Sequence, residues 1–159
     1  FGMGKGILIA TGKGGTGRTL VTVKQGAVLA RGGSRVMLMD LDMGMRNLDI
    51  YLGMESKVVY NIMDVISGIC RIKKAMIRVD GFDDLYFMAA SPMKDDRDIT
   101  PLHMKVLCEK LARYFAYIIV DCPAGLGDML DVGAAAADEV VIVTEPDAAA
   151  LRDADVTAR

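Results

Sequence analysis

An apolar run and a glycine-rich turn follow one another near the start of the chain, as Gly6-Ile7-Leu8-Ile9-Ala10-Thr11 and then Gly12-Lys13-Gly14-Gly15-Thr16-Gly17-Arg18-Thr19. The short apolar run predicts a buried strand, and residues Thr19–Arg31 predict a helix directly after the turn. Four glycines in the turn allow positive φ angles and let backbone N–H groups point inward. Because a helix N-terminus adds partial positive charge at the same place, this strand, turn and helix predict a phosphate-binding site.

The spacing within the turn fits two kinds of phosphate site. From Gly12 to Thr19 it is that of a nucleoside-triphosphate loop, in which the threonine hydroxyl ligates Mg²⁺ and residue 18 holds the β- and γ-phosphates. From Gly12 to Gly17 it also satisfies the dinucleotide fingerprint G-x-G-x-x-G, with Asp40 available for a ribose hydroxyl. Arg18 stands where the triphosphate loop has lysine, so the turn alone leaves both sites open.

Carboxylates at the ends of two further apolar runs separate these alternatives. Asp40 and Asp42 follow the second run and form a candidate catalytic pair, and Asp121 ends a later run. Asp121 supplies the carboxylate that a magnesium triphosphate site needs near its metal. Thr19 has no role in a dinucleotide site. We therefore favour the triphosphate site and keep the dinucleotide-binding enzyme as the less favoured alternative.

The rest of the chain alternates between strand and helix patterns. Near-continuous apolar runs predict strands that are covered on both faces. This alternation predicts one α/β domain over residues 1–159, a three-layer sandwich in which helices cover both faces of a mostly parallel central sheet. The expected strands are Gly6–Thr11, Arg35–Asp40, Asp84–Ala89, Ala116–Asp121 and Glu139–Glu145, and the expected helices are Thr19–Arg31, Val58–Ser67, Pro101–Tyr114, Asp128–Ala137 and Asp147 onward.

Composition excludes several other classes. The net charge of −2, from 19 basic and 21 acidic residues, gives no basic field for nucleic acid. The three cysteines lack C-x-x-C spacing, so neither a disulfide framework nor a zinc cage is indicated. The apolar runs are far shorter than a membrane span, and no leader pattern precedes the first strand, so we expect a cytoplasmic location. His103, the single histidine, is expected to have a plain surface role.

Three segments together resemble the MinD/ParA class of ATPases, whose deviant Walker A loop carries an additional, earlier lysine. Lys13 matches that lysine, residues 39–49 are similar to the switch I stretch of the cell-division branch, and residues 121–125 are similar to its Walker B and switch II segment. The likeness covers essentially the whole chain. It implies a P-loop fold with ATP and Mg²⁺ as cofactors, hydrolysis of ATP, dimerisation on ATP, protein regulators of cell division as partners, and a role in placing the bacterial division septum.

The resemblance also assigns roles to residues. Lys13 reaches the partner's nucleotide as a charge clamp, Thr19 binds Mg²⁺, and Asn47 senses the γ-phosphate. Asp42 orients the attacking water, Asp40 lies near the metal shell, and Asp121 holds a metal-bound water. The full nucleotide-binding set is Gly12, Lys13, Gly14, Gly15, Thr16, Gly17, Arg18, Thr19, Leu20, Asn47 and Asp147, and the dimer and regulator surface falls at Asp147, Arg152, Asp153 and Asp155.

Two departures from the class bear on activity. Arg18 replaces the second lysine with a planar, bulkier guanidinium, which predicts weak or absent turnover and makes a hydrolysis-defective nucleotide-binding module the alternative function. The later strands, the adenine-contacting loop and the C-terminal membrane-targeting helix of the class have no counterpart before Arg159. We therefore expect a fragment whose class associates with the cytoplasmic face of the inner membrane only through a helix absent from this chain.

Overall fold

A computed structural model describes residues 5–11, 16–41, 47–92, 99–122, 139–143 and 155–156. At residues 5–11, 16–18, 47, 122, 139–143 and 155–156 the backbone alone is described. In chain order the elements are β1 Lys5–Thr11, α1 Thr16–Arg31, β2 Val36–Asp40, α2 Asn47–Tyr51, a 3₁₀ turn Glu55–Lys57, α3 Ile62–Ile66, α4 Ile72–Ala75, β3 Ile77–Arg78, β4 Leu85–Met88, α5 Pro101–Leu111, β5 Tyr117–Cys122, β6 Glu139–Val143 and β7 Asp155–Val156.

The described strands form one sheet in the order β3-β4-β2-β5-β1-β6-β7. The five inner strands are parallel to one another, and the short strands β3 and β7 run antiparallel at the two edges. Strand β5 lies between β1 and β2, so the connection from β1 through α1 to β2 passes over it. The predicted mostly parallel sheet is confirmed.

Side chains alternate across the sheet and build two apolar layers. Val36 and Leu38 of β2 pack in one cluster with α1 and α2, whereas Met37 and Met39 pack in a second cluster with α3, α4 and α5. All four side chains are fully buried. Because strand residues alternate between faces, an uninterrupted apolar strand requires helices on both sides. The predicted three-layer architecture is confirmed, and Met37 and Met39 fill the core as expected.

Helix α1 lies close to the sheet because its buried stripe consists of small residues. Thr19, Thr22, Gly26 and Ala30 are buried and recur at helical spacing on one face. A Cβ placed on Gly26 would lie 2.7 Å from Cδ2 of Leu38, so any larger residue would have to displace this buried side chain. The first turn of α1, which follows the predicted phosphate-binding turn in the chain, lies at the carboxyl end of β5.

Local capping residues set the starts of two helices. At α5 the Thr100 side chain accepts the N–H of His103, while Nδ1 of His103 accepts the N–H of Thr100. Pro101 occupies the first turn, as the sequence predicted. His103 thus has the surface role expected of it. At α3, Asn61 and Asp64 form the same reciprocal pattern.

Several predicted boundaries are wrong. The helix expected from Val58 begins only at Ile62, because Asn61 caps it and the Ile62 N–H bonds the Ala89 carbonyl at 2.9 Å. Helix α1 begins three residues before the expected start, at Thr16, and α5 ends at Leu111 rather than Tyr114. The expected helix from Asp147 onward is contradicted at residues 155–156, which pair with the β6 edge instead. Such an edge offers unpaired backbone groups that outweigh local preference.

Other elements were not anticipated, or fall outside the description. The structure adds the short elements α2, α4 and β3, which contain too few residues to show a period. The expected helix Asp128–Ala137 and the end of the strand predicted to reach Glu145 lie outside the described residues. Within the described part of the chain, no helix is both long enough and apolar enough to cross a membrane.

Candidate functional site

The candidate site lies at the carboxyl edge of the sheet, where β1, β5 and β2 end side by side. Because these strands are parallel, their last residues meet at one edge. Asp40 and Asp121 are register partners across β2 and β5, and Ile9 of β1 pairs with Asp121 on its other side. Strand β1 ends at Thr11, two residues beyond the register partner of Asp121, so the chain leaves the sheet at this edge, as the triphosphate hypothesis requires.

Strand alternation brings the two carboxylates onto the same face. Leu38 and Ile119, two residues before Asp40 and Asp121, both pack in the cluster beneath α1. Since side chains two residues apart share a face, Asp40 and Asp121 also lie on the α1 side. Neighbouring strands are about 4.8 Å apart, and both side chains are fully buried. Two carboxyl groups thus lie close together where solvent does not reach.

Thr19 connects helix α1 to this pair. Its Oγ1 donates a hydrogen bond to Oδ2 of Asp121 at 3.0 Å, across 102 residues of sequence. Thr19 is the fourth residue of α1 and is buried. The first four N–H groups of a helix have no partner within the helix, and no acidic side chain occupies this first turn. Residues 16–19 therefore present backbone donors and partial positive charge beside the Asp121 carboxylate.

Asp40 connects β2 to helix α2. Its Oδ2 accepts the backbone N–H of Leu48 at 3.0 Å. Leu48 is buried and is the second residue of α2, directly after Asn47. The carboxylate thus holds the first turn of α2 against the end of β2. Sequence reasoning did not anticipate this link, because it joins a side chain to a backbone group that carries no sequence pattern.

The donor set fits a hard divalent cation. Two carboxylates and a threonine hydroxyl are oxygen ligands of the kind that Mg²⁺ prefers, and Mg²⁺ takes few protein ligands when substrate phosphates complete its shell. Among the residues that the structure describes, no group of three or more His, Cys, Asp or Glu side chains could hold a metal by itself. The arrangement therefore suits a metal that arrives with a phosphate ligand.

The other predicted site residues are placed unequally. Thr16, Gly17 and Arg18 form the first turn of α1, Leu20 follows with 37% of its surface exposed, and Asn47 opens α2. The structure describes only the backbone of Thr16, Gly17, Arg18 and Asn47. Lying outside the described residues are Gly12, Lys13, Gly14, Gly15, Asp42 and Asp147, together with Arg152 and Asp153 of the predicted partner surface.

Two buried polar residues near the site were not singled out from the sequence. Thr22 lies three residues after Thr19 on the buried stripe of α1, and Asp49 lies in α2. Oδ1 of Asp49 accepts the N–H of Ile50 at 2.9 Å, and both residues make further polar interactions. The helical spacing from Thr19 was the signal that could have identified Thr22.

With this geometry established, the comparisons define the class of protein. Residues 4–156 match the family model described as AAA domain, and the chain belongs to this family. Its fold is that of the P-loop ATPases of the MinD/ParA class, as the sequence resemblance implied.

Among proteins of this class, the chain is similar to septum site-determining proteins named MinD. The chain is 40% identical over 154 residues to the septum site-determining protein MinD of Bacillus subtilis, covering 96% of this chain and 58% of that protein. It superimposes with a TM-score of 0.78 on the structure of the MinC:MinD cell division protein complex of Aquifex aeolicus, at 34% identity over 94% of this chain and 60% of that one. MinD of Pyrococcus horikoshii, complexed with Mg-ADP, also gives a TM-score of 0.78, at 29% identity over 96% and 62% of the two chains. The chain thus spans a little under two thirds of the length of these relatives.

Proposed function

We propose that this chain is the nucleotide-binding part of an ATP-dependent switch that acts in placing the division septum. The observation that carries the proposal is the hydrogen bond from Thr19 in the first turn of α1 to Asp121, with Asp40 in register beside it. The bond joins the expected phosphate-binding helix to the expected metal-side carboxylate. The likeness to septum site-determining proteins supports the biological role.

In this proposal the helix end and the turn bind the phosphates. Backbone N–H groups from Gly14 to Thr19 donate to phosphate oxygens, and Thr19 with Asp121 holds Mg²⁺, directly or through water. The metal, when bound, neutralises charge on the β- and γ-phosphates. Because the Thr19 hydroxyl donates its proton to Asp121, its lone pairs remain available to a metal ion. The Mg-ADP complex of the Pyrococcus horikoshii relative supports ATP and Mg²⁺ as the cofactors.

The Asp40–Leu48 hydrogen bond gives Asp40 a positioning role in the same proposal. It holds the start of α2, and with it Asn47, the residue expected to sense the γ-phosphate. A γ-phosphate that contacts Asn47 therefore acts on helix α2, which the Asp40 hydrogen bond anchors to the edge of the sheet. Lys13 and Asp42 complete the proposed catalytic set, as the charge clamp and the group that orients the attacking water.

The proposed partners follow from the relatives. The MinC:MinD complex supports a cell-division regulator as a protein partner, and we propose homodimerisation on ATP binding, with Lys13 contributed to the partner's nucleotide. We propose a cytoplasmic location for the described domain, at the inner membrane when it belongs to a longer chain. Arg18 favours one alternative, a module that binds nucleotide and dimerises without hydrolysis, because a guanidinium cannot reproduce the compact ammonium of lysine.

Calorimetric titration with Mg-ATP and with NAD tests the kind of site. We expect Mg-ATP to bind and NAD not to bind. Thr19→Val removes the hydroxyl while keeping the shape of the side chain, and should weaken Mg-ATP binding by about tenfold or more. Thr19→Ser keeps the hydroxyl and should bind within a few fold of the parent chain. Binding of NAD in preference to ATP would overturn the proposal.

Single-turnover hydrolysis separates the switch from the hydrolysis-defective alternative. Arg18→Lys should raise the rate by orders of magnitude, because misplaced charge at the phosphoryl group costs several kcal/mol. Equal rates for the two chains would refute the assigned effect of Arg18. The molar mass of the protein in solution, measured by light scattering with and without Mg-ATP, tests dimerisation independently of turnover.

A further inference from the structure

A groove runs along helix α5 on the opposite side of the sheet from the candidate nucleotide site. One wall is the outer face of α5, and the other is the segment from the end of α3 to the start of α4. Its volume is about 510 Å³. We call it the α5 groove. Because α3, α4 and α5 cover the Met37 side of β2, whereas the candidate site faces α1, the groove belongs to a separate surface.

The groove is mainly apolar and elongated. The α3–α4 wall presents Val65, Ile66 and Ile72, and the α5 wall presents Leu102, Val106 and Leu107. Its α5 wall runs from Leu102 to Lys110, so it extends for nine residues, about 12 Å at the rise of a helix. Leu102 is 67% exposed and Val106 is 42% exposed, one turn apart along this ridge. At about 12 Å, the groove is long enough to accommodate two turns of a helix from a partner protein.

Every ionisable side chain in the lining other than the Cys70 thiol is basic. Arg71 lies on one wall, and His103 and Lys110 lie seven residues apart on the other, about 10 Å along the helix. No aspartate or glutamate appears among the described residues that line it. This is a local exception in a chain that carries more acidic than basic residues.

We propose that the α5 groove binds an acidic amphipathic helix of a partner protein. The apolar walls accept a stripe of residues at helical spacing, and the cations of Arg71 and Lys110, one on each wall, complement carboxylates on both flanks of that stripe. A fatty acid carries one head group, which would pair with only one of the two cations, Arg71 and Lys110. The spread of charge along the groove therefore favours a peptide.

The test uses a synthetic helix of about 15 residues as the probe. It carries leucines along one face and glutamates elsewhere, and its matched counterpart has lysine in place of every glutamate. Binding to the whole chain is measured by fluorescence anisotropy. We expect the acidic probe to bind and the basic probe to bind at least tenfold more weakly.

Substitutions at exposed positions locate the binding. Arg71→Gln combined with Lys110→Gln should weaken the acidic probe about three- to tenfold, whereas Lys24→Gln, an equally exposed cation on α1, should not. Leu102→Gln should weaken it about tenfold. Val28→Gln is the matched control, since Val28 is 71% exposed on α1. Unchanged affinity in both groove variants would overturn the proposal.

Cys70 supplies a readout inside the groove. It is half-buried in the lining, and burial together with the Asp64 carboxylate raises the pKa of its thiol, so alkylation is followed at alkaline pH. The acidic probe should slow iodoacetamide labelling of Cys70, as measured by peptide mass mapping. Binding of the probe without protection of Cys70 would place the probe elsewhere on the chain. Protection of Cys70 by dodecanoate but not by the probe would assign the groove to a fatty acid, and protection by raised protein concentration alone would assign it to a second copy of the chain. Each of these outcomes would overturn the proposal.

Discussion

Replacing Thr19 by valine removes the hydrogen bond to Asp121 with almost no change in shape. The bond is 3.0 Å long, Thr19 is 7% exposed and Asp121 is fully buried, so solvent cannot replace the lost donor. A hydrogen bond to a charged acceptor contributes about 1.5–3 kcal/mol. We expect Thr19→Val to lower the free energy of unfolding by that amount in metal-free, nucleotide-free buffer. For a chain of this size this corresponds to a fall in Tm of about 3–12 °C.

A double-mutant cycle separates this bond from other effects of the substitutions. Urea unfolding is measured for Thr19→Val, Asp121→Val and the double variant. If the two side chains are coupled as the structure shows, the coupling energy is about 1.5–3 kcal/mol. Asp121→Asn keeps an acceptor oxygen but removes its charge, so its coupling with Thr19→Val should fall to about half.

The result that refutes this reasoning is additivity. Distant, independent sites add within about 0.5 kcal/mol, so a coupling energy below that value would mean that the threonine hydroxyl does not bond the carboxylate in solution. Asp121→Asn also changes the interaction with Asp40, its register partner. For that reason the single Asp121 variants by themselves decide nothing, and the cycle is required.

Three further predictions concern stability. Burial raises the pKa of the Cys108 thiol to about 12 from an ordinary value of 9.0. The contribution of this thiol to the free energy of unfolding is therefore complete below pH 9.0 and is lost at about 1.4 kcal/mol per pH unit up to pH 12. Urea unfolding across this pH range should show the loss. Gly26→Val, measured by thermal unfolding, should cost about 2 kcal/mol, because its Cβ would lie 2.7 Å from Cδ2 of Leu38. Asn61→Ala should cost about 1 kcal/mol through loss of the α3 cap.

Each of these has its own control. In Cys108→Ala the component of the pH dependence that belongs to this thiol should disappear, and an unchanged slope would contradict the assignment. Gly32→Ala places its Cβ at ordinary contact distances and should be near neutral, whereas a Gly26→Val chain as stable as the parent would show that α1 does not approach the sheet so closely. Asn61→Asp keeps a capping oxygen and should retain most of the stability that alanine loses.

Local sequence pattern was sufficient to predict the parallel strands of the sheet and the helix start that a capping side chain marks. The apolar runs of β1, β2, β4, β5 and β6 could be identified because an uninterrupted apolar run is itself the sequence pattern of a strand in a parallel sheet. Thr100 and Pro101 marked the start of α5 because capping is a local interaction. The same holds for the acidic residues Asp40 and Asp121 at the strand ends.

Tertiary structure decided which of these ends are neighbours. The sequence placed Asp40 and Asp121 each at the end of a strand, but their direct pairing depends on β5 lying between β1 and β2, a choice made by packing over many residues. The strand pair at 155–156 and the late start of α3 also depend on hydrogen bonds from distant backbone. The short elements α2, α4 and β3 show neither an uninterrupted apolar run nor a helical period, so the groups that they meet in the fold determine their conformation.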